Sequence, residues 1–434
     1  MSLGDAKKSS PQTAPTSLLA DSSHAPTFTS LPPELIGTIF EFLYDSYPVR
    51  KRKADLARLC LVSKALRLIA QPLLFRAFTL DLGQHQAFSE CVLFSGLGYR
   101  EELAGMVKEL KLKSFETVLS EESNLELAVI LHRLSQLQTI RVGWSSSYLV
   151  APSSIINLLV EKCPRIRHLE LPNVAVALVD LVNIAARLPH LETLIVDLPE
   201  IDSPSSLSAL SPAFHLRRFV ATYLPDPALL LPLLSSSTTS LLSLSLAPSS
   251  GSPLPSLSSF VNLRSLSYRA FDPSAQDLRI IHALLLSSQL LPIQSVAIDW
   301  SESNESFDHE LHDIDTSILQ VLPPSIRSFT FGPYLDRLSL STNLINGTRP
   351  YPLLEHLSIV PLTPQYTDFR QPVQLSSDET ELATAAKERG IEVEWIREDK
   401  KYPYRLDVLV LDRPRVLSGD FDDDMERQEE DRKV

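Results

Sequence analysis

The side chains best placed for chemistry are His309, Glu310 and His312, with Asp308, Asp313 and Asp315 beside them. Imidazole and carboxylate in that density suggest a divalent ion, but the histidines are three apart and lack the four-residue separation of the zinc-protease motif. A solvated polar loop accounts for the segment as well. The three cysteines, Cys60, Cys91 and Cys163, have no metal-ligand spacing, and their scatter suits buried free thiols in a reducing compartment. No Gly-rich phosphate loop, Gly-x-Ser-x-Gly turn or Cys-x-x-Cys pair occurs, so nothing orients a nucleophile or a nucleotide. No catalytic residue, cofactor or metal is expected, and the chain reads as a binder.

Its candidate binding groups are Arg141, Arg167, Arg217, Arg218, Arg264 and Arg327, joined by Trp144 and Trp300. They recur beside a Leu-x-x-Leu-x-Leu cadence anchored at Leu110, Ile140, Leu169, Leu194, Phe219, Leu244, Leu266, Val296, Phe329 and Leu357. The steps are 30, 29, 25, 25, 25, 22, 30, 33 and 28 residues, at or slightly above the leucine-rich-repeat period. An apolar residue usually lies three positions before each anchor and another two after, as in Ile166/Leu169/Leu171. The two-residue interval is that of a strand with one buried face.

Between anchors, Leu178, Leu181, Ile184, Ala185 and Leu188 have helical spacing, and a Pro often follows the helix. One strand-helix unit cannot bury its own apolar face, so the units must stack. The expected fold is α/β: a leucine-rich-repeat horseshoe with parallel strands on the concave face, spanning 81–397. Phe219 and Leu244 are the weakest units, the first with only Ala221 in its third position and the second in a serine run. The run 235–259 and the run 301–315 are candidate rim insertions. On the concave face the arginines could align into a positive stripe for an acidic or phosphorylated ligand, or simply be soluble residues on exposed strands. Each tryptophan, near a strand exit, is a partner anchor or a local core cap.

Fifty-three acids against 40 bases give a net charge of -13, which argues against generic nucleic-acid binding. No stretch reads as a membrane span or a secretory signal. Asn304 and Asn346 are therefore read as chance glycosylation triplets. Residues 1–29, rich in Ser, Thr and Pro, and residues 398–434, ending in eight acids against three bases from Asp420 on, are expected to be disordered or extended. Helix 379–389 with Gly390 at its end, then Ile391, Val393 and Trp395, should close the stack.

Residues 30–80 differ in kind. Pro32 and Pro33 suit a helix's first turn, and Leu35, Ile39, Phe40 and Leu43 make a stripe that should end near Tyr44. Two further stripes, Leu56 to Leu66 and Leu68 to Phe75, complete a three-helix module. The basic run Arg50-Lys51-Arg52-Lys53 reads as a nuclear-import patch or, more blandly, a solvated inter-helix loop.

This block resembles an F-box. The residues are Leu31-Pro32-Pro33-Glu34-Leu35-Ile36-x-x-Ile39-Phe40-x-x-Leu43, then Leu59-x-Leu61-Val62-Ser63-Lys64-x-Leu66-Arg67, then Pro72-Leu73-Leu74-Phe75-Arg76. The last group is similar to fungal F-box proteins with divergent leucine-rich repeats. Leu66 departs from the Trp of many members and offers less area and no indole donor.

The resemblance implies the substrate-recognition subunit of an SCF-type cullin-RING ubiquitin ligase, cytoplasmic or nuclear. The module would dock the S-phase-kinase-associated adaptor through Leu31, Pro32, Leu35, Ile36, Ile39, Phe40, Leu43, Leu59, Val62, Ser63, Lys64, Leu66 and Arg67. The repeats would hold a protein substrate, and catalysis would belong to the associated machinery. The alternative is a non-catalytic leucine-rich-repeat scaffold outside any ligase, with the helices as an intramolecular cap.

Overall fold

The computed structural model describes residues 31–46, 49–81, 101–114, 121–144, 149–150, 153–198, 212–249, 253–270, 275–300, 318–331, 351–359 and 377–395. The segment 1–29, Cys91, the 301–315 run with its histidines, Asn346 and the segment 398–434 lie outside these residues. So do the side chains of Leu43, Trp144 and Trp300.

Three helices come first: α1 (Pro33–Ser46), α2 (Val49–Val62) and α3 (Lys64–Leu74). Pro32 opens α1, its carbonyl accepting the amides of Leu35 and Ile36. Ser63 caps α3, its Oγ accepting from Leu66 N at 3.1 Å, a bond that satisfies one of the donors every helix start leaves over.

Strands β1 (Ala77–Asp81), β2 (Glu109–Ser114), β3 (Thr139–Trp144), β4 (Leu149–Val150), β5 (His168–Ala175), β6 (Thr193–Asp197) and β7 (Arg218–Leu224) follow. The series continues with β8 (Ser243–Pro248), β9 (Ser265–Ala270), β10 (Ser295–Trp300), β11 (Ser328–Phe331), β12 (His356–Ile359) and β13 (Glu392–Trp395). All pair in parallel in a single sheet, in chain order, with β4 paired to β5 at its side.

The register runs along the anchors. Phe78, Leu110, Ile140, Leu169, Leu194, Phe219, Leu244, Leu266, Val296, Phe329, Leu357 and Val393 are successive strand-to-strand partners. All ten expected anchors are therefore neighbours in space, each at most 1% exposed. The stack begins one coil earlier than the sequence suggests: Phe78 on β1 joins the row, so residues 77–80 belong to the sheet and not to the helical module.

Strand order in the chain equals strand order in the sheet because each coil ends where the next begins, so contacts are mainly between neighbouring coils. Helices Ser153–Lys162 and Leu178–Arg187 send Ile155, Leu159, Leu181 and Ile184 into one core shared with the anchors.

The helix expected in every unit is shortened or missing in two neighbouring coils. Between β7 and β8 the connection is a turn at Pro227–Leu229, a helix of five residues, Leu230–Leu234, and a serine turn; between β8 and β9 the described residues form no helix. Length alone does not decide this, because the coil from Leu169 to Leu194 is also 25 residues long and holds helix Leu178–Arg187; in these two coils Pro225, Pro227, Pro232 and Pro255 instead interrupt the helix.

Serines replace it. Ser237 Oγ accepts from Leu216 N at 2.9 Å, Ser236 Oγ donates to Phe214 O at 2.5 Å, and Ser240 Oγ donates to Leu216 O at 2.8 Å. Far from projecting at a rim, the described part of 235–259 is stitched to the preceding coil, with Leu241, Leu244 and Leu257 fully buried. At the far end Gly390 takes φ 75° after helix Ser377–Glu388, a left-handed turn that only a residue without Cβ enters at no steric cost, and β13 then pairs with β12.

Candidate functional site

The helical module has a core of its own. Ile36, Phe40 and Tyr44, one face of α1 at four-residue spacing, pack with Leu56, Leu66, Ala70 and Leu73 in a cluster separate from that of the sheet. The opposite face of α1 is apolar too: Leu35 is 52% exposed, Ile39 36% and Phe42 69%. Leu61, Val62 and Leu68 are about as exposed, at 80%, 68% and 69%. A 14-residue helix with two apolar stripes satisfies only one by folding, so the other is left for something else.

The expected adaptor residues divide accordingly. Leu35, Ile39 and Val62 are outward and exposed, and so are Pro32, Lys64 and Arg67, whose Nε donates to Cys60 O at 2.9 Å. Leu31 and Leu59 are half-buried against the bundle core. Ile36, Phe40 and Leu66 are corrections: they are at most 5% exposed and hold the helices to one another, so no partner reaches them. Ser63 is spent on the α3 cap. Phe42 is an outward residue absent from the sequence reading, and Leu61 and Leu68, read there as motif and stripe residues but not as docking residues, are outward as well. Phe42 lies seven positions after Leu35 and three after Ile39, a spacing that carries the signal in retrospect.

The basic run is not a loop. Residues 49–53 are the first turn of α2, and Arg52 is buried at 9% exposure. Its guanidinium donates to Tyr44 O at 2.6 Å, satisfying a carbonyl near the end of α1, and stacks 3.9 Å over the Tyr44 ring. Arg76 approaches the same ring at 5.1 Å while its Nε bonds Glu109 on β2 at 3.1 Å. The Arg76 carbonyl also accepts the amides of Lys108 and Glu109. Tyr44, Arg76 and Glu109 therefore join the bundle to the first coils at a defined angle. α1 itself runs to Ser46, slightly beyond its expected end at Tyr44.

The second site is the other face of the sheet, where residues two positions before the anchors such as Arg167, Arg217, Arg264 and Arg327 meet solvent, while those immediately beside the anchors are mostly buried or half-buried. The row two positions before the anchors is threaded by backbone bonds: each carbonyl takes two amides of the next coil, through Arg76, Lys108, Gln138, Arg167, Glu192, Arg217, Leu242, Arg264, Gln294 and Arg327, and the last, Glu355, takes one, from Glu392. Arg167, Arg217, Arg264 and Arg327 thus share one row, at alternate positions. They do not form the uniform positive stripe that the sequence allows, because some are already matched by carboxylates one coil on. Arg167 pairs with Glu192 at 3.3 Å and Arg327 with Glu355 at 3.2 Å.

In the row just after the anchors, Arg141 lies 3.0 Å from Glu170, its register partner, although off the line of a hydrogen bond. Arg218 occupies the row just before the anchors and is half-buried. Toward the far end of the face, Arg269 pairs with its register mate Asp299 at 3.3 Å.

No family model matches the chain, and no curated protein does. Among solved structures, TLR13 in a complex with ssRNA13 is similar at 14% identity and a TM-score of 0.33, over 58% of this chain and 32% of that one. This chain thus spans about a third of that protein's length. A protein from Bacteroides fragilis is similar at 10% identity and a TM-score of 0.33, over 75% of each chain. A sugar phosphate isomerase/epimerase from Parabacteroides distasonis has 10% identity and a TM-score of 0.16, over 76% and 88%. Scores this low carry no argument; the stacked fold stands on its own strand register.

Titratable groups gather around His168, where Glu192, Glu170, Arg141 and Glu109 act on a half-buried ring. Burial holds the imidazole below its ordinary value of 6.5, against the pull of the two nearest glutamates. Below pH 6.5 the unfolded chain then binds a proton that the folded one resists, so this group lowers stability as pH falls through that window. Urea melts at pH 7.5 and pH 5.5 should show less acid destabilisation in His168→Gln than in the parent. An equal or larger acid loss in the variant contradicts the assignment.

Burial pushes the Cys163 thiol up to about 12, which makes it inert packing. Among the described residues no group of three or more His, Cys, Asp or Glu side chains could hold a metal, and no helix is long and apolar enough to cross a membrane.

Proposed function

We propose that this chain is the substrate-recognition subunit of an SCF-type cullin-RING ubiquitin ligase. The helical module docks the S-phase-kinase-associated adaptor, and the open face of the sheet holds a protein substrate. The chain itself is not an enzyme; it sets one protein at a fixed place relative to another, in the cytoplasm or nucleus. The observation that carries this reading is the outward stripe of Leu35, Ile39 and Phe42, with Val62 exposed as well, on a bundle that already has a complete core. Exposed aliphatic and aromatic side chains on one helix face are what a helix-to-helix protein interface uses as its buried centre. The F-box resemblance of the same residues says which partner to try. The Tyr44–Arg76–Glu109 joint supports the reading further, because a receptor must hold its cargo at a constant distance from the machinery.

Co-expression of the full chain with the adaptor tests it. The two should purify together, and Leu35→Asp or Val62→Asp should abolish that while leaving the circular dichroism and melting of the chain unchanged, since both side chains are exposed. Failure of the intact chain to retain the adaptor overturns the ligase reading and leaves a leucine-rich-repeat interaction scaffold.

A further inference from the structure

Along β7 to β10 the sheet has no carboxylate in three adjacent rows, of which the row two before the anchors is the exposed one and the two inner rows hold mostly buried small residues. The row two before the anchors reads Arg217, Leu242, Arg264, Gln294. The row just before them reads Arg218, Ser243, Ser265, Ser295, and the row just after reads Val220, Ser245, Ser267, Ala297. In a chain of net charge -13 this is an unusual concentration of one sign.

Arg217 and Arg264 are exposed, and neither has an ion pair or side-chain hydrogen bond among the described residues. That sets them apart from Arg167 and Arg327 of the same row, which have glutamate partners. Next to Arg264, Ser265 is 6% exposed and its Oγ has no hydrogen-bond partner among the described residues, although a buried hydroxyl normally finds one. Two exposed, unmatched guanidinium groups on one row are the recognition chemistry of an anion supplied from outside, whereas the Ser265 hydroxyl lies too deep for such an anion to touch.

We propose that this patch receives an acidic segment of the bound partner, with one carboxylate at Arg217 and a second at Arg264. The spacing favours a particular backbone. The two arginines are two coil steps apart, about 9 to 10 Å. A polyproline II strand returns the same face every three residues, about 9.3 Å along. The preferred ligand is therefore an extended peptide with acids three residues apart, lying across the strands with Leu242 between its two charges. This deepens the cargo half of the proposed function and does not depend on the adaptor half.

The probe is a fluorescein-labelled peptide of three Glu-Pro-Pro repeats, with its Gln-Pro-Pro counterpart as control, titrated into the intact chain by fluorescence anisotropy. The acidic peptide should bind, weaken as salt rises, and lose roughly five- to thirtyfold affinity in the Arg217→Ala/Arg264→Ala chain, the amount two modest ion pairs supply. Arg167→Ala/Arg327→Ala, which removes arginines already matched internally, should change affinity by less than about twofold. Equal affinity for the glutamine peptide, or an unchanged affinity in the Arg217→Ala/Arg264→Ala chain, overturns the proposal. Adaptor co-purification of the same variants separates the two claims. A parent chain that retains the adaptor but does not bind the acidic peptide overturns this patch alone, whereas peptide binding without adaptor sinks only the ligase reading.

Discussion

Phe40→Ala should unfold the helical module and leave the sheet standing. Phe40 is 1% exposed at the centre of a core of only seven buried residues. Truncating a buried Phe costs about 3–5 kcal/mol. A bundle of some 45 residues has a total stability of roughly 2–7 kcal/mol at 0.05–0.15 kcal/mol per residue. The cavity therefore removes most or all of it. Because the two cores are separate, the loss should stop at the joint. Limited trypsin digestion should cut the variant rapidly at Arg50, Lys51, Lys53, Arg58 and Arg67, and a resistant fragment beginning near Arg76 should persist. Phe42→Ala, two positions away but 69% exposed, should leave the digestion pattern unchanged. Joint unfolding of both parts in Phe40→Ala contradicts the two-core description.

Phe219→Ala should damage the other half. Phe219 is fully buried, register partner to Leu194 before it and Leu244 after it, near the middle of the stack. The expected loss is again about 3–5 kcal/mol, with a lower urea midpoint. Phe219→Leu fills more of the space and should recover most of the loss. In a quasi-one-dimensional fold a weak coil also uncouples the coils on either side, so the transition should broaden or split into two. A sharp single transition at the parent midpoint would show that this coil is not a structural link. Expected alongside these losses is an intact helical module, read by its unchanged trypsin resistance.

The anchor row was the most legible part of the fold. Apolar residues at three before and two after an anchor report a strand with one buried face, and parallel stacking with one strand per coil leaves a single plausible register. Even the units with Ala221 and with the serine run conform, because the anchor and not the third position fixes the strand. The serine run misled for a physical reason: serines usually mark loops, but hydroxyls can tie a coil to its neighbour where prolines interrupt the helix, as Ser236, Ser237 and Ser240 do.

In the helical module the elements were legible and the facing was not. α1 carries Ile36/Phe40/Tyr44 and Leu35/Ile39/Phe42 on opposite sides, and hydrophobicity alone does not say which one the neighbours bury. Arg52 was hidden by its company in a run of four bases. Among the described residues the Tyr44 carbonyl and ring give its charge a buried partner. The arginines of the open face were legible as a set, but their neutralisation was not. Whether Arg167 meets Glu192, or Arg217 meets nothing, depends on the coil-to-coil register of side chains 25 residues apart or more.

The claim on which the rest turns is that the outward face of α1 and the α2–α3 turn are the docking site while the sheet remains open. Hydrogen exchange of the full chain with and without the purified adaptor measures it directly. Protection confined to Pro33–Ser46 and to 59–68, with exchange in β5 to β12 unaltered, is the predicted result. Protection spread over the strands, or no adaptor-dependent change in the helices, would contradict it.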